Sequence, residues 1–140
     1  MKGRSFLDTN IFVYAFDVNA LGKAKKAREL IQRSVDTGQG IVSYQVVQEF
    51  FNVALRRFAQ PLTPAEAEQY LITVFRPLLA IHSSPALYVE ALRVAAKHRL
   101  PWYDSIIVAA ALEGKCATLY SEDFQHGREI EGLRIENPFR

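Results

Sequence analysis

The chain has 140 residues, 49% of them hydrophobic and 23% charged; this predicts one globular domain over residues 1–140 and excludes a disordered chain, a disulfide miniprotein and a collagen-like repeat. Seventeen basic and 15 acidic residues leave a formal charge of +2, so no overall basic field marks a nucleic-acid binder, and any such partner must be held by a local patch. The single Cys116 and three histidines can form neither an internal disulfide nor a tetrahedral zinc site of the usual Cys/His kind.

Phe6-Leu7 reads as a short buried strand, and Asp8-Thr9-Asn10 at its end as capping residues that open a helix through Tyr14 and Phe16. The segment Met1 to Asp8 puts an acid where a signal peptide needs its apolar middle, so secretion is not expected. From Ala20 to Val35, the residues Leu21, Ala24, Ala27, Leu30, Ile31 and Val35 recur at helical spacing among Lys23, Lys25, Lys26 and Arg28. Gly38 and Gly40 close that helix and admit the strand Ile41-Val42-Ser43. A helix is predicted over Tyr44–Phe58 and another over Ala65–Phe75 with Pro77 as its stop, then a strand over Leu78–Ile81. Ser84-Pro85 caps a helix from Ala86 to His98, Pro101 starts one from Trp102 to Leu112, and Gly114 ends it. Ala117–Tyr120 is the next strand, running into Ser121-Glu122-Asp123, and Leu133-Arg134-Ile135 is the last. The longest later apolar run, Ile106 to Leu112, is far too short to span a bilayer. A cytoplasmic protein with no membrane partner is expected.

Short apolar strands alternating with amphipathic helices predict a parallel sheet covered on both faces, with its ligand site beyond the carboxyl ends of the strands. On that plan Asp8, ending the first strand, and Asp123, after the fourth, project from one edge. Glu49 lies between Val46 and Val53 on its helix, where an unpaired carboxylate is costly. Asp104 stands in the first turn of a helix that continues as Ile106–Ala111, so the acid marks an opening above a buried element. Taken singly, each acid has a structural reading: Asp8 as a helix cap, Asp104 as a first-turn acid, Asp123 as a turn residue, Glu49 as the partner of a buried arginine. Gathered in one site they repel one another unless a cation neutralises them, and hard oxygen ligands select magnesium or manganese. That combination points to metal-dependent phosphoryl transfer.

Ser5-Phe6-Leu7-Asp8-Thr9-Asn10-Ile11, Gln48-Glu49-Phe50, Trp102-Tyr103-Asp104-Ser105-Ile106-Ile107 and Leu119-Tyr120-Ser121-Glu122-Asp123 resemble, in order and across essentially the whole chain, the four acidic motifs of PIN-domain ribonucleases. The resemblance is specifically to the VapC-type toxins of bacterial and archaeal toxin–antitoxin pairs. It implies a three-layer α/β/α fold with a central, mostly parallel sheet. Position by position, it implies that Asp8, Glu49, Asp104 and Asp123 are catalytic and bind one or two divalent ions, magnesium (Mg2+) or manganese (Mn2+). Thr9, Asn10 and Ser121 match polar positions that support the site by hydrogen bonds. The implied reaction is hydrolysis of single-stranded or loop RNA to a 5′-phosphate and a 3′-hydroxyl, with no nucleophilic side chain. The implied partners are RNA, an antitoxin protein and a second copy in a homodimer. Glu122 is an alternative ligand to Asp123, disfavoured because one step along an extended chain turns a side chain to the other face.

His82, His98 and His126 fall in separate segments and support no catalytic triad; His126 is either a surface-loop residue or a substrate contact. Trp102 and Tyr103 either pack in the core or stack on an unpaired base. The clusters Lys23/Lys25/Lys26/Arg28, Arg56-Arg57 and Arg93/Lys97/Arg99 are either solvated helix faces or phosphate contacts. Phe50, Phe51, Phe58 and Tyr70 either fill the core or line a groove, which in the resembled family takes up the antitoxin. Two other functions compete. A magnesium-dependent phosphatase with an aspartyl nucleophile also begins on a strand ending in Asp, but it needs a second Asp where this chain has Asn10. A catalytically silent PIN-like module that binds RNA or protein needs none of the four acids, and all four are present.

Overall fold

A computed structural model of the chain describes residues 3–140; Met1 and Lys2, the first positions of the segment read above for a leader, lie outside the described residues. Strand β1 (Arg4–Leu7) enters the core at once, with Ser5, Phe6 and Leu7 all buried, because a strand covered on both faces has no solvent side. After α1 (Thr9–Tyr14), α2 (Leu21–Thr37) turns Ala24, Ala27, Leu30 and Ile31 inward at the expected spacing. Gly38 ends α2 in the left-handed region, φ 70°. Gly40 opens β2 (Gly40–Ser43) for a different reason: a Cβ there would stand 2.3 Å from the Ser34 Cβ, an approach of α2 to β2 that only hydrogen allows.

Helix α3 (Tyr44–Ala54) stops short of the expected Phe58. The Arg56 and Arg57 N–H groups both bond to the Val53 carbonyl, and the tightened chain brings the Phe58 ring back to within 5.2 Å of the Phe16 ring. Helix α4 (Pro64–Tyr70) starts on a Thr63/Glu66 capping box and runs without a break through a π-helical turn (Leu71–Phe75) into the short α5 (Arg76–Leu78). Pro77 therefore does not stop this helix. In the wider turn ahead of it the Arg76 N–H bonds to the Leu71 carbonyl, which relaxes the four-residue register that a proline ring obstructs.

Strand β3 (Leu79–Ile81), α6 (Pro85–His98), α7 (Trp102–Glu113), β4 (Cys116–Tyr120), β5 (Glu129–Ile130) and β6 (Leu133–Glu136) complete the chain. Two-residue β5 is too short to carry a periodicity and is absent from the sequence reading. It pairs antiparallel with β6 across a tight turn in which Glu131 and Gly132 both take positive φ, 53° and 89°. Cys116 is buried and unpaired, and burial pushes its thiol up to about 11. Among the described residues no helix is long and apolar enough to cross a membrane.

The sheet order is β3-β2-β1-β4-β6-β5, parallel except for β5. The chain steps from β1 through β2 to β3, then returns to β4 on the other side of β1. With right-handed crossovers, that reversal puts α2 and α3 on one face and α6 and α7 on the other. This is the expected three-layer α/β/α arrangement, and it opens a crevice at the carboxyl ends of β1 and β4. On the α1–α3 side, Phe12, Phe50 and Phe75 are fully buried, and Phe50 stacks on Tyr70 at 5.2 Å. Phe50 is therefore core, while Phe51, Phe58 and Tyr70 pack partly buried against it. An open cleft of about 820 Å³ lies beside Phe16, Phe58 and Leu62.

Candidate active site at the carboxyl edge of the sheet

Strand register brings the first two groups together. Leu7 pairs with Tyr120, and the Asp8 N–H donates to the Tyr120 carbonyl at 3.0 Å, so Asp8 and Ser121 emerge side by side. The Ser121 hydroxyl donates to Asp8 Oδ2 at 2.7 Å and the Thr9 N–H to Oδ1 at 2.7 Å. Asp8 is thus the cap of α1 and a carboxylate fixed at both oxygens. It is 5% exposed, and among the described residues no basic side chain bonds to it. Burial pushes its carboxyl up to about 7 against the bonds from Ser121 and Thr9, and the charges of Asp123 and Glu49 push the same way.

Glu49 reaches the edge from α3. Its Oε1 accepts from the Thr9 hydroxyl at 2.7 Å and its Oε2 from Gln45 Nε2 at 3.2 Å. The partner that this half-buried acid requires is a pair of neutral donors, not an arginine. Gln45 Nε2 also donates to the Tyr103 carbonyl at 3.4 Å, tying α3 to the first turn of α7. Sequence reasoning misses Gln45; the available signal is its position one helical turn before Glu49. At the same edge Ser43 Oγ and Gln45 Oε1 are buried without a partner.

Asp104, third residue of α7, is partly buried; burial raises its pKa, and the charges of Asp123 and Glu49 raise it further. Asp123 is exposed on the loop after β4, its N–H donating to Ser121 Oγ at 3.1 Å. Since Asp8 and Asp104 both feel Asp123 and Glu49, the four carboxylates share one field. Asn10 braces the same loop, donating to Ser121 Oγ at 3.4 Å and accepting from the Glu122 N–H at 3.4 Å. Thr9, Asn10 and Ser121 all hydrogen-bond within this cluster.

Glu122 faces elsewhere. Its Oε1 accepts from the Tyr14 hydroxyl at 2.6 Å, and its Oε2 pairs with Lys23 Nζ at 2.6 Å. The bonds from Lys23 and Tyr14 hold its carboxyl below the ordinary range. Lys23 is thereby occupied, and so is Arg93, which grips Glu131 at 2.9 and 3.0 Å and also Glu90. None of the histidines bonds to the four acids: His98 meets Glu131 at 2.8 Å, His126 Nδ1 accepts from the Asn137 N–H, and His82 packs on Tyr44.

Four carboxylates with no thiolate or imidazole among them suit a hard divalent ion in chemistry. Among the described residues no group of three or more His, Cys, Asp or Glu side chains is placed to hold a metal ion as it stands. The fit therefore rests on donor type and on uncompensated negative charge.

The sequence profile of the PIN domain matches residues 5–128, a span that contains all four acids. The chain belongs to the PIN-domain family. Among solved structures, this PIN domain is similar to a toxin–antitoxin complex from Klebsiella pneumoniae, with 17% identity, a TM-score of 0.68 and 96% of this chain and 97% of that one covered. It is similar to VapBC2 from Rickettsia felis bound to a promoter DNA fragment, with 16% identity, a TM-score of 0.69 and 95% and 97% coverage. A third is Mycobacterium tuberculosis VapC20, a sarcin-ricin loop cleaving toxin, with 19% identity, a TM-score of 0.54 and 85% and 89% coverage. Identities of this size establish a shared fold. No significant match is found among curated proteins.

Proposed function

We propose that this PIN domain is a metal-dependent endoribonuclease, the VapC-type toxin of a toxin–antitoxin pair, acting in the cytoplasm. One observation carries the reading: Asp8 is closed into the carboxyl edge by neutral donors only, with its carboxyl pushed up to about 7 and the charges of two further acids bearing on it. Negative charge left unbalanced inside a crevice is a place for a cation. The toxin and RNA parts of the reading draw support from the similar folds, two of them toxin–antitoxin assemblies and one a toxin that cleaves the sarcin-ricin loop.

Asp8, Glu49, Asp104 and Asp123 would hold Mg2+, or Mn2+ in its place, which when bound would polarise the scissile phosphodiester, lower the pKa of a water and stabilise the leaving oxygen. The chain's own groups prepare that place. Ser121 and the Thr9 N–H fix both oxygens of Asp8, and the Thr9 hydroxyl and Gln45 fix both oxygens of Glu49. Asp123, on the loop after β4, is the most exposed of the four. Ser121, the hydroxyl bonded to Asp8, is fully buried, and metal-assisted attack by water requires no side-chain nucleophile. The cleft beside Phe16 and Phe58 is the expected seat of an antitoxin segment, and the active form is a homodimer.

The test is RNA cleavage with magnesium, with a chelator, and after magnesium is restored. Chelation should abolish cleavage and restoration should recover it, while Asp104→Asn and Asp123→Asn should each lower it by at least about a hundredfold without changing the circular dichroism. Undiminished cleavage in both variants would overturn the site. Metal-independent RNA binding without cutting would identify a silent module instead.

A further inference from the structure

A cluster of aromatic rings gathers around Phe50. Three aromatic side chains elsewhere are well exposed: Trp102 is 40% exposed, Tyr103 66% and Tyr88 40%. Trp102 and Tyr103 are the first two residues of α7, and Asp104 is the third. The Tyr88 ring of α6 packs on Trp102, with centroids 6.0 Å apart and planes tilted by 45°. The Tyr103 ring has no ring partner among the described residues. The backbone beneath these rings is firmly held: the Ser105 hydroxyl donates to the Trp102 carbonyl at 2.6 Å, and Gln45 Nε2 donates to the Tyr103 carbonyl at 3.4 Å. That same nitrogen holds Glu49 Oε2, so the exposed rings and the carboxylates hang on one frame.

We infer that Trp102 and Tyr103 form a stacking shelf for an unpaired base of single-stranded RNA, next to the bond that is cut; this rests on the ribonuclease reading above. An aromatic face accepts any base that is unstacked, whereas a duplex keeps its bases on one another. Position argues for a nucleobase, because the shelf is continuous in sequence with Asp104. Val89 and Leu92, 65% and 60% exposed, extend the apolar surface along α6, and a second copy of the chain seated there is the rival occupant.

Trp102 is the only tryptophan, so its fluorescence reports the shelf directly. Stopped-flow mixing of the whole chain with a single-stranded oligoribonucleotide, in magnesium, reads binding before any cutting. The expected result is a rapid quench with the single strand, none with the same sequence in a duplex, and none with a strand whose bases next to the cut are abasic. Read by the anisotropy of a fluorescein-labelled strand, Tyr103→Ala and Trp102→Ala should weaken binding by about tenfold with an unchanged salt slope, because the slope counts phosphate contacts. Trp102→Phe should recover the affinity, and Tyr103→Ala should shift the cut positions. Cleavage of the strand with no change in tryptophan emission would overturn the shelf and leave the nuclease reading standing. A quench in a chain that cuts no RNA would support the shelf and overturn the nuclease reading. Emission that changes with protein concentration alone, and no longer does so in Val89→Asp, would assign the face to a second copy and overturn the shelf.

Discussion

Asp8 and Glu131 lie at opposite edges of the sheet and are pushed in opposite directions. Glu131, in the β5–β6 turn at the amino edge, accepts from Arg93 and His98, and these bonds bring its carboxyl down to about 2. Asp8, at the carboxyl edge, accepts two short bonds, yet burial pushes it up to about 7. Glu131 is held by the cationic Arg93 guanidinium, whereas Asp8 meets only neutral donors and its burial outweighs them. One edge completes its charge balance within the protein, and the other leaves a deficit for something from outside to fill.

The contrast breaks most visibly at Asp8→Asn. A carboxyl raised above its unfolded value of 3.8 contributes stability that is complete below about pH 4 and is lost as pH rises through about 7. In a chelator, wild-type protein should therefore lose on the order of 4 kcal/mol between pH 4 and pH 8. The Asn variant should lack that slope and be the more stable of the two at pH 8. Denaturant titrations across this range decide it, and equal wild-type stability at both ends would remove the contrast.

Next in size is the effect of the cation itself. Magnesium at a hundred times its Kd should stabilise the protein by about 2.7 kcal/mol, more at pH 8 than at pH 5 because protons compete for Asp8. Thermal melts should show this rise in wild type and less of it in Asp8→Asn; an equal rise in both would place the ion elsewhere. The smallest effect belongs to the other edge. Glu131→Gln should move Tm by no more than about 2 °C, the shift should shrink in high salt, and RNA cleavage should be unchanged. Lost cleavage in that variant would show that the two edges are not independent.

What the sequence makes legible follows from what is local. A parallel sheet sends every strand end to one edge, so the positions of Asp8 and Asp123 can be read from apolar runs alone; α2 announces itself by period, and α6 and α7 by Ser84-Pro85, Pro101 and Gly114 at their ends. Gln45 cannot be read this way, because its role depends on a Tyr103 carbonyl 58 residues along the chain. Lys23 reads as one of an open basic cluster until its partner Glu122, 99 residues away, is in place. Pro77 reads as a stop only while the α-helical register is assumed. Trp102 and Tyr103 are apolar enough to suggest core; their exposure depends on how α7 meets α6.

The π-helical turn has a bearing on how the length of this chain can change. Tyr70 and Phe75 are five residues apart, and their rings meet at 5.4 Å with Phe50 against both. Removing one residue between them, such as the exposed Ile72, leaves a spacing of four, which in an ordinary α-helix again places both rings on one side. The aromatic cluster survives such a deletion, and the cost falls on Pro77, whose ring then faces a regular helical carbonyl. Within this helical layer Leu71–Phe75 is thus a point where the gene can lose a codon without unthreading the core, provided the proline is exchanged with it.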